Sequence, residues 1–100
     1  PGLTWSNLKG CNFSISRDLF FRVGGFDESF QAWGREDSDL VIRAMRAGGV
    51  LFDGRFPLCV LHLYHKEASD KAMSPNESRF RQVLADQAIT TPLKTSVELN

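Results

Sequence analysis

Trp33-Gly34-Arg35-Glu36-Asp37-Ser38-Asp39-Leu40 is the stretch that decides how this chain folds. An aromatic and a glycine lead straight into three carboxylates, and a helical pattern follows. Asp37, Leu40, Val41, Ala44, Met45 and Gly48 recur at the i, i+3, i+4, i+7 spacing that lines one face of a helix. Glu36, Asp37 and Asp39 fall in the first turn, where the helix dipole favours anions. Arg43 and Arg46 fall near the end, where it favours cations, and Gly48-Gly49 stops the run. A helix is therefore expected from Arg35 to Ala47. Its periodicity also separates the acids. Asp37 heads the core-facing stripe with Glu36 one residue round, whereas Asp39 aligns with Arg43 and Arg46 as a solvated ion-pair face.

Outward from that helix, Asn7 to Ile15 alternates loosely and predicts a strand, with Gly10 permitting a close backbone approach. Ser16 suits the N-cap of a short helix over Arg17 to Val23, which Gly24-Gly25 ends. Phe26 to Trp33 reads as a loop rich in aromatics. Val50 to Phe52 and Leu58 to Leu63 predict two strands around the Asp53-Gly54 turn. Ser74-Pro75-Asn76-Glu77 combines an N-cap, a proline at the first helical position and a capping-box glutamate. The helix over 75–91 places Phe80, Val83, Leu84 and Ala88 on one face, and 93–100 reads as a loose tail. Two N-x-[ST] sequons, at Asn12 and Asn76, lie in a strand and a capping box and are not expected to carry glycans.

One hundred residues, 42% of them hydrophobic, make one domain or a piece of one. Pro1 opens the chain without an initiator methionine, as expected of a segment of a longer protein. Twelve basic residues balance twelve acidic ones with no basic stripe, which argues against nucleic acid as a partner. No apolar run approaches the roughly 20 residues of a membrane-spanning helix. Cys11 and Cys59 are too few for a disulfide framework and read as free thiols of a reducing compartment. That predicts a cytoplasmic setting, with a peripheral place at the inner membrane left open.

The chemistry lies at the helix start and after the last strand. An indole beside carboxylates, with glycine leaving room between, suits a sugar: apolar ring face on Trp33, hydroxyls on the acids. The plainer reading is that the acids only complement the dipole. Asp37-Ser38-Asp39 spells Asp-x-Asp, yet helical residues i and i+2 point about 200° apart and cannot share one ion. His62 and His65 would face opposite sides of a straight strand and converge only if the chain turns near Leu63-Tyr64. His65, nearer the strand end, is the better metal ligand, with His62 a possible second. A lone strand histidine is more often an ordinary core or surface residue.

Gly10-Cys11-Asn12-Phe13-Ser14, Gly24-Gly25-Phe26-Asp27-Glu28, Trp33-Gly34-Arg35-Glu36-Asp37 and His62-Leu63-Tyr64-His65 occur in an order that resembles a known family. Over about Asn7 to Glu67 the chain resembles the C-terminal half of GT-A glycosyltransferases, near the β-1,4-galactosyltransferases and bacterial chondroitin-type polymerases. The resemblance implies an α/β fold, the C-terminal part of a GT-A (nucleotide-diphospho-sugar transferase) mixed α/β fold with short strands packed against three helices. It also implies one segment over 1–100: a motif-bearing core at about 7–67, a C-terminal helix at 75–91 and a tail at 93–100. The remainder of the catalytic domain, with its nucleotide-binding βαβ half, is the expected partner of this segment.

By the same resemblance the activity is that of a hexosyl or N-acetylhexosaminyl transferase, with the fragment alone inactive. A sugar passes from a UDP-sugar donor to a saccharide acceptor hydroxyl with inversion, aided by Mn²⁺ or Mg²⁺. Asp37 matches the catalytic base and Glu36 its acceptor-binding partner. Trp33 and Gly34, with Gly10 and Asn12 at a strand end, match the substrate-binding positions, and His65 and His62 the metal ligands. Arg35 departs from the glycine common at its position. A divalent cation would offset charge on the departing diphosphate while Asp37 takes the hydroxyl proton. Two other readings stand beside this one: a non-catalytic carbohydrate-binding or interaction module, and an unrelated metal-dependent hydrolase using Glu36, Asp37 and the histidines.

Overall fold

The computed structural model describes residues 13–31, 34–52 and 73–97. Within them the chain forms α1 (Arg17–Arg22), α2 (Glu36–Arg46) and α3 (Met73–Ala85). Ser16 is extended and its hydroxyl accepts from Leu19 N at 3.1 Å, as expected of an N-cap. Gly24 and Gly25, at φ 83° and 70°, then carry the chain out of α1. Gly25 is required twice over, since a Cβ there would also lie 2.8 Å from Val97 Cγ2. Phe20 meets the rings of Phe21 and Phe26 edge-on, at 5.8 and 5.9 Å between centroids.

α2 is the central element. Leu40, Val41, Ile42 and Ala44 are all buried, so its apolar surface wraps further round the helix than a single stripe. Ile42 packs with Phe80 and Val83 of α3, and Phe30 and Ile89 close over that cluster. Burying each large side chain of this kind contributes about 1.5–3 kcal/mol. Arg46 leaves α2 to donate to Val83 O (2.8 Å), Asp86 O (3.0 Å) and Ile89 O (3.0 Å), so it satisfies carbonyls at the end of α3.

The segment after α3 returns to the loop after α1. Glu28 N donates to Lys94 O at 2.6 Å, Thr95 Oγ1 to Gly24 O at 2.8 Å, and Ser96 N to the Glu28 carboxylate. Residues 93–97 are thus fastened down where the sequence alone reads a loose tail.

The mixed α/β expectation is corrected. Among the described residues there is no strand: 13–15 and 50–52, both read as strand from sequence, are irregular. The physical reason is pairing. A strand exists through a ladder of inter-strand bonds, and the described backbone bonds outside helices are turns and caps apart from Glu28–Lys94. Val50 and Phe52 stay exposed instead of packing on a sheet. The remaining strand positions, 7–12 and 58–63, lie outside the described residues. The third helix starts at Met73 and ends at Ala85, with Leu84 and Ala88 outside the core. Among the described residues no helix is long and apolar enough to cross a membrane.

Candidate functional site

α2 starts where the sequence places it, and the turn before it is held with unusual firmness. Gly34 takes φ 115° and Arg35 takes φ 74°, a left-handed conformation that a non-glycine residue adopts at a cost. Arg35 occupies the N-cap without a side-chain cap bond, and its carbonyl accepts from Asp39 N at 2.9 Å. Its guanidinium reaches α3 instead, with Nε 2.9 Å from Glu77 Oε2 and Nη2 3.3 Å from Glu77 Oε1. The same group lies 5.1 Å above the centre of the Phe80 ring. The Arg35 hydrogen bond holds the Glu77 carboxyl below its ordinary pKa.

Asn76, one residue before Glu77, is buried. Its amide donates to Gln31 O (2.8 Å) and Gly34 O (3.0 Å), and its carbonyl oxygen accepts from Gln31 N (3.0 Å). The loop is therefore gripped on both sides of positions 32 and 33.

Within that frame Glu36 and Asp37 are the first two residues of α2, both half-buried. Asp37 Oδ1 accepts from Ser38 N at 2.7 Å. Glu36 Oε2 is buried and has no hydrogen-bond partner. Asp39 does not face solvent. It is fully buried with Arg43, whose Nη2 lies 2.9 Å from Asp39 Oδ2. Arg43 also donates to Val23 O and Gly25 O, each at 2.8 Å, while Asp39 Oδ1 is left without a partner. Burial raises the pKa of Asp39, and the Arg43 charge and hydrogen bond oppose that rise. The solvated-face expectation for Asp39, Arg43 and Arg46 is thus corrected: two of the three form a buried pair and the third caps α3.

Asp27 is a structural anchor to which the sequence reading gave no role of its own. Its buried carboxylate accepts from Ser29 N (2.9 Å), Ser29 Oγ (2.6 Å), Leu93 N (2.9 Å), Lys94 N (3.3 Å) and Arg79 Nη2 (3.1 Å). Burial alone would raise its pKa. The bonds from Ser29, Leu93 and Arg79 outweigh burial and hold it at about 2. The available hint was Asp27-x-Ser29, the pattern of an Asx turn.

Of the residues expected at the site, the structure brings Gly34, Glu36 and Asp37 together at one helix start. Trp33, Gly10, Asn12, His62 and His65 lie outside the described residues, and with them the Mn²⁺ or Mg²⁺ expectation. Among the described residues no group of three or more His, Cys, Asp or Glu could hold a metal. With no strand and no metal-holding group among the described residues, the expected hexosyl-transferase segment is corrected too. That correction covers metal-assisted passage of a sugar from a UDP-sugar donor to a saccharide acceptor, with Asp37 as base.

Comparison with known proteins gives a distant kinship over part of the chain. N-acetylgalactosaminyltransferase 6 of Drosophila melanogaster is 37% identical over 46 residues, which are 46% of this chain and 7% of that protein. N-acetylgalactosaminyltransferase 4 of the same fly is 35% identical over 46 residues, with the same shares covered. Polypeptide N-acetylgalactosaminyltransferase 3 of Taeniopygia guttata is 41% identical over 39 residues, 39% of this chain and 6% of that protein. The matched stretch thus spans well under a tenth of the curated relatives' length. No solved structure matches the chain. The resemblance to the C-terminal half of a GT-A enzyme is corrected, because the regular elements among the described residues are all helices. A family model described as the N-terminal domain of galactosyltransferase matches residues 1–66, and the chain belongs to that family.

Proposed function

We propose that the described residues are a scaffold that holds the turn at 34–37 for saccharide binding within a longer protein. The observation that carries this is Glu36, whose Oε2 is buried without a donor at a helix start fixed by Arg35 and Asn76. Leaving a buried acceptor unsatisfied costs about 1–3 kcal/mol, and more for a charged group. A donor arriving with a ligand offsets that cost, and sugar hydroxyls are such donors. Asp37 stands in the same first turn, where the helix dipole favours its charge. Membership in the galactosyltransferase family supports a sugar as the ligand class. The names of the relatives point to N-acetylgalactosamine. The role assigned to Glu36 and Asp37 is binding, with no bond-making step.

Calorimetric titration of the full-length protein with N-acetylgalactosamine tests this. Saturable binding is expected, weakened about 10–100-fold by Glu36→Gln, as removal of a hydrogen bond to a charged group implies. Equal affinity in the two proteins, or no saturable binding by the wild type, would sink the reading.

A further inference from the structure

We propose that Arg35 is a positioning residue through which α3 sets the direction in which the Glu36–Asp37 turn is presented. Among the described residues Arg35 is the one non-glycine residue at positive φ. Glycine would take φ 74° freely, whereas a residue with a Cβ is strained there by about 1–2 kcal/mol. Something in the arginine side chain must offset that strain. The guanidinium makes a two-pronged contact with Glu77 and lies over Phe80, three residues further along α3.

Asn76, Glu77 and Phe80 belong to one turn of α3. They hold Gln31, Gly34 and Arg35, the residues that deliver the chain to Glu36. The carbonyl of Arg35 opens the helical bonding of α2, so its backbone orientation fixes the path of the first turn. Both charged side chains are about one-third exposed, 35% for Arg35 and 28% for Glu77. Pairs in that setting add little to stability. The planar fork, matched to a carboxylate, supplies angular definition instead.

The ligand arm of this proposal rests on the saccharide-binding reading; the backbone arm does not. The test uses Glu77→Gln, Arg35→Gly and the double variant in the full-length protein. Hydrogen exchange at the Glu36, Asp37 and Ser38 amides and affinity for N-acetylgalactosamine are both read. Glu77→Gln should leave the melting temperature within about 2 °C of wild type. Exchange at those amides should rise about five-fold or more, and affinity should fall by about the same factor.

Arg35→Gly should do likewise despite its unstrained backbone, and the double variant should be no worse than Arg35→Gly alone, since the contact with Glu77 is already lost there. Wild-type exchange in Glu77→Gln, or an Arg35→Gly protein whose amides are as protected as wild type, would overturn the proposal. If the wild type binds no sugar, the saccharide reading falls and exchange alone judges Arg35. If binding is seen but neither variant changes it or the exchange, the positioning role falls and the binding reading stands.

Discussion

Asp18 and Arg22 in α1 stand four residues apart, as do Asp39 and Arg43 in α2, and the two pairs close to 2.8 and 2.9 Å. Their surroundings are opposite. The first pair is open to water, with side chains 86% and 57% exposed, and the second is wholly enclosed. In water the attraction is screened, and such a pair contributes roughly 0.3–0.5 kcal/mol. Inside the molecule both ions have lost their hydration, so each needs every bond the fold can give. Arg43 obtains them from Asp39, Val23 O and Gly25 O, whereas Asp39 keeps one oxygen without a donor. An identical spacing is a surface detail in one helix and the tie between α2 and the end of α1 in the other.

Breaking the enclosed pair is the sharpest way to test that contrast. Arg43→Ala strands the Asp39 charge and two carbonyl oxygens, and should cost about 3–5 kcal/mol in denaturant unfolding. A loss below about 1 kcal/mol would mean the pair is no more than its exposed counterpart. Asp27 comes next, and it differs from Asp39 in being fully supplied with donors. Its carboxyl sits at about 2 when folded against an ordinary 3.8, so the ionised form favours the fold. That contribution is present above the unfolded value and disappears as the pH falls from about 4 to about 2. Asp27→Asn should therefore cost about 2 kcal/mol at neutral pH and flatten the acid limb of stability in that window. Parallel pH curves for the two proteins would contradict this.

The smallest effect belongs to the exposed pair. Asp18→Asn should change stability by no more than about 0.5 kcal/mol, and adding salt should abolish even that difference. A larger, salt-resistant loss would erase the distinction between the two pairs.

Local signals were legible wherever the answer lay within a turn of chain. Ser16 caps α1 as its hydroxyl predicts, and α2 begins and ends within a residue of its dipole and glycine markers. What failed depended on distant partners. Helical periodicity puts Asp39 and Arg43 on a separate face from Leu40, but cannot reveal that the loop after α1 covers that face as well. Asn76 resembles part of a capping box, yet its amide is spent on Gln31 and Gly34, more than forty residues upstream. The strand assignments fail in the described segments for the same reason, because alternation describes a surface and a ladder needs a partner. At the candidate site, Glu36 and Asp37 open α2, as the helix-start signals predict. The strained backbone of Arg35 left no trace in spacing, and its one signal was that the resembled family commonly has glycine at that position.

The reach of Arg46 across to the last turn of α3 has a consequence for how the molecule assembles. Closing a loop between positions 46 and 83 carries an entropic penalty that must be met before those carbonyls gain their donor. The third helix cannot finish by local events alone. Its final turn gains its side-chain donor only once the central helix has docked, which ties the end of α3 to the packing of α2.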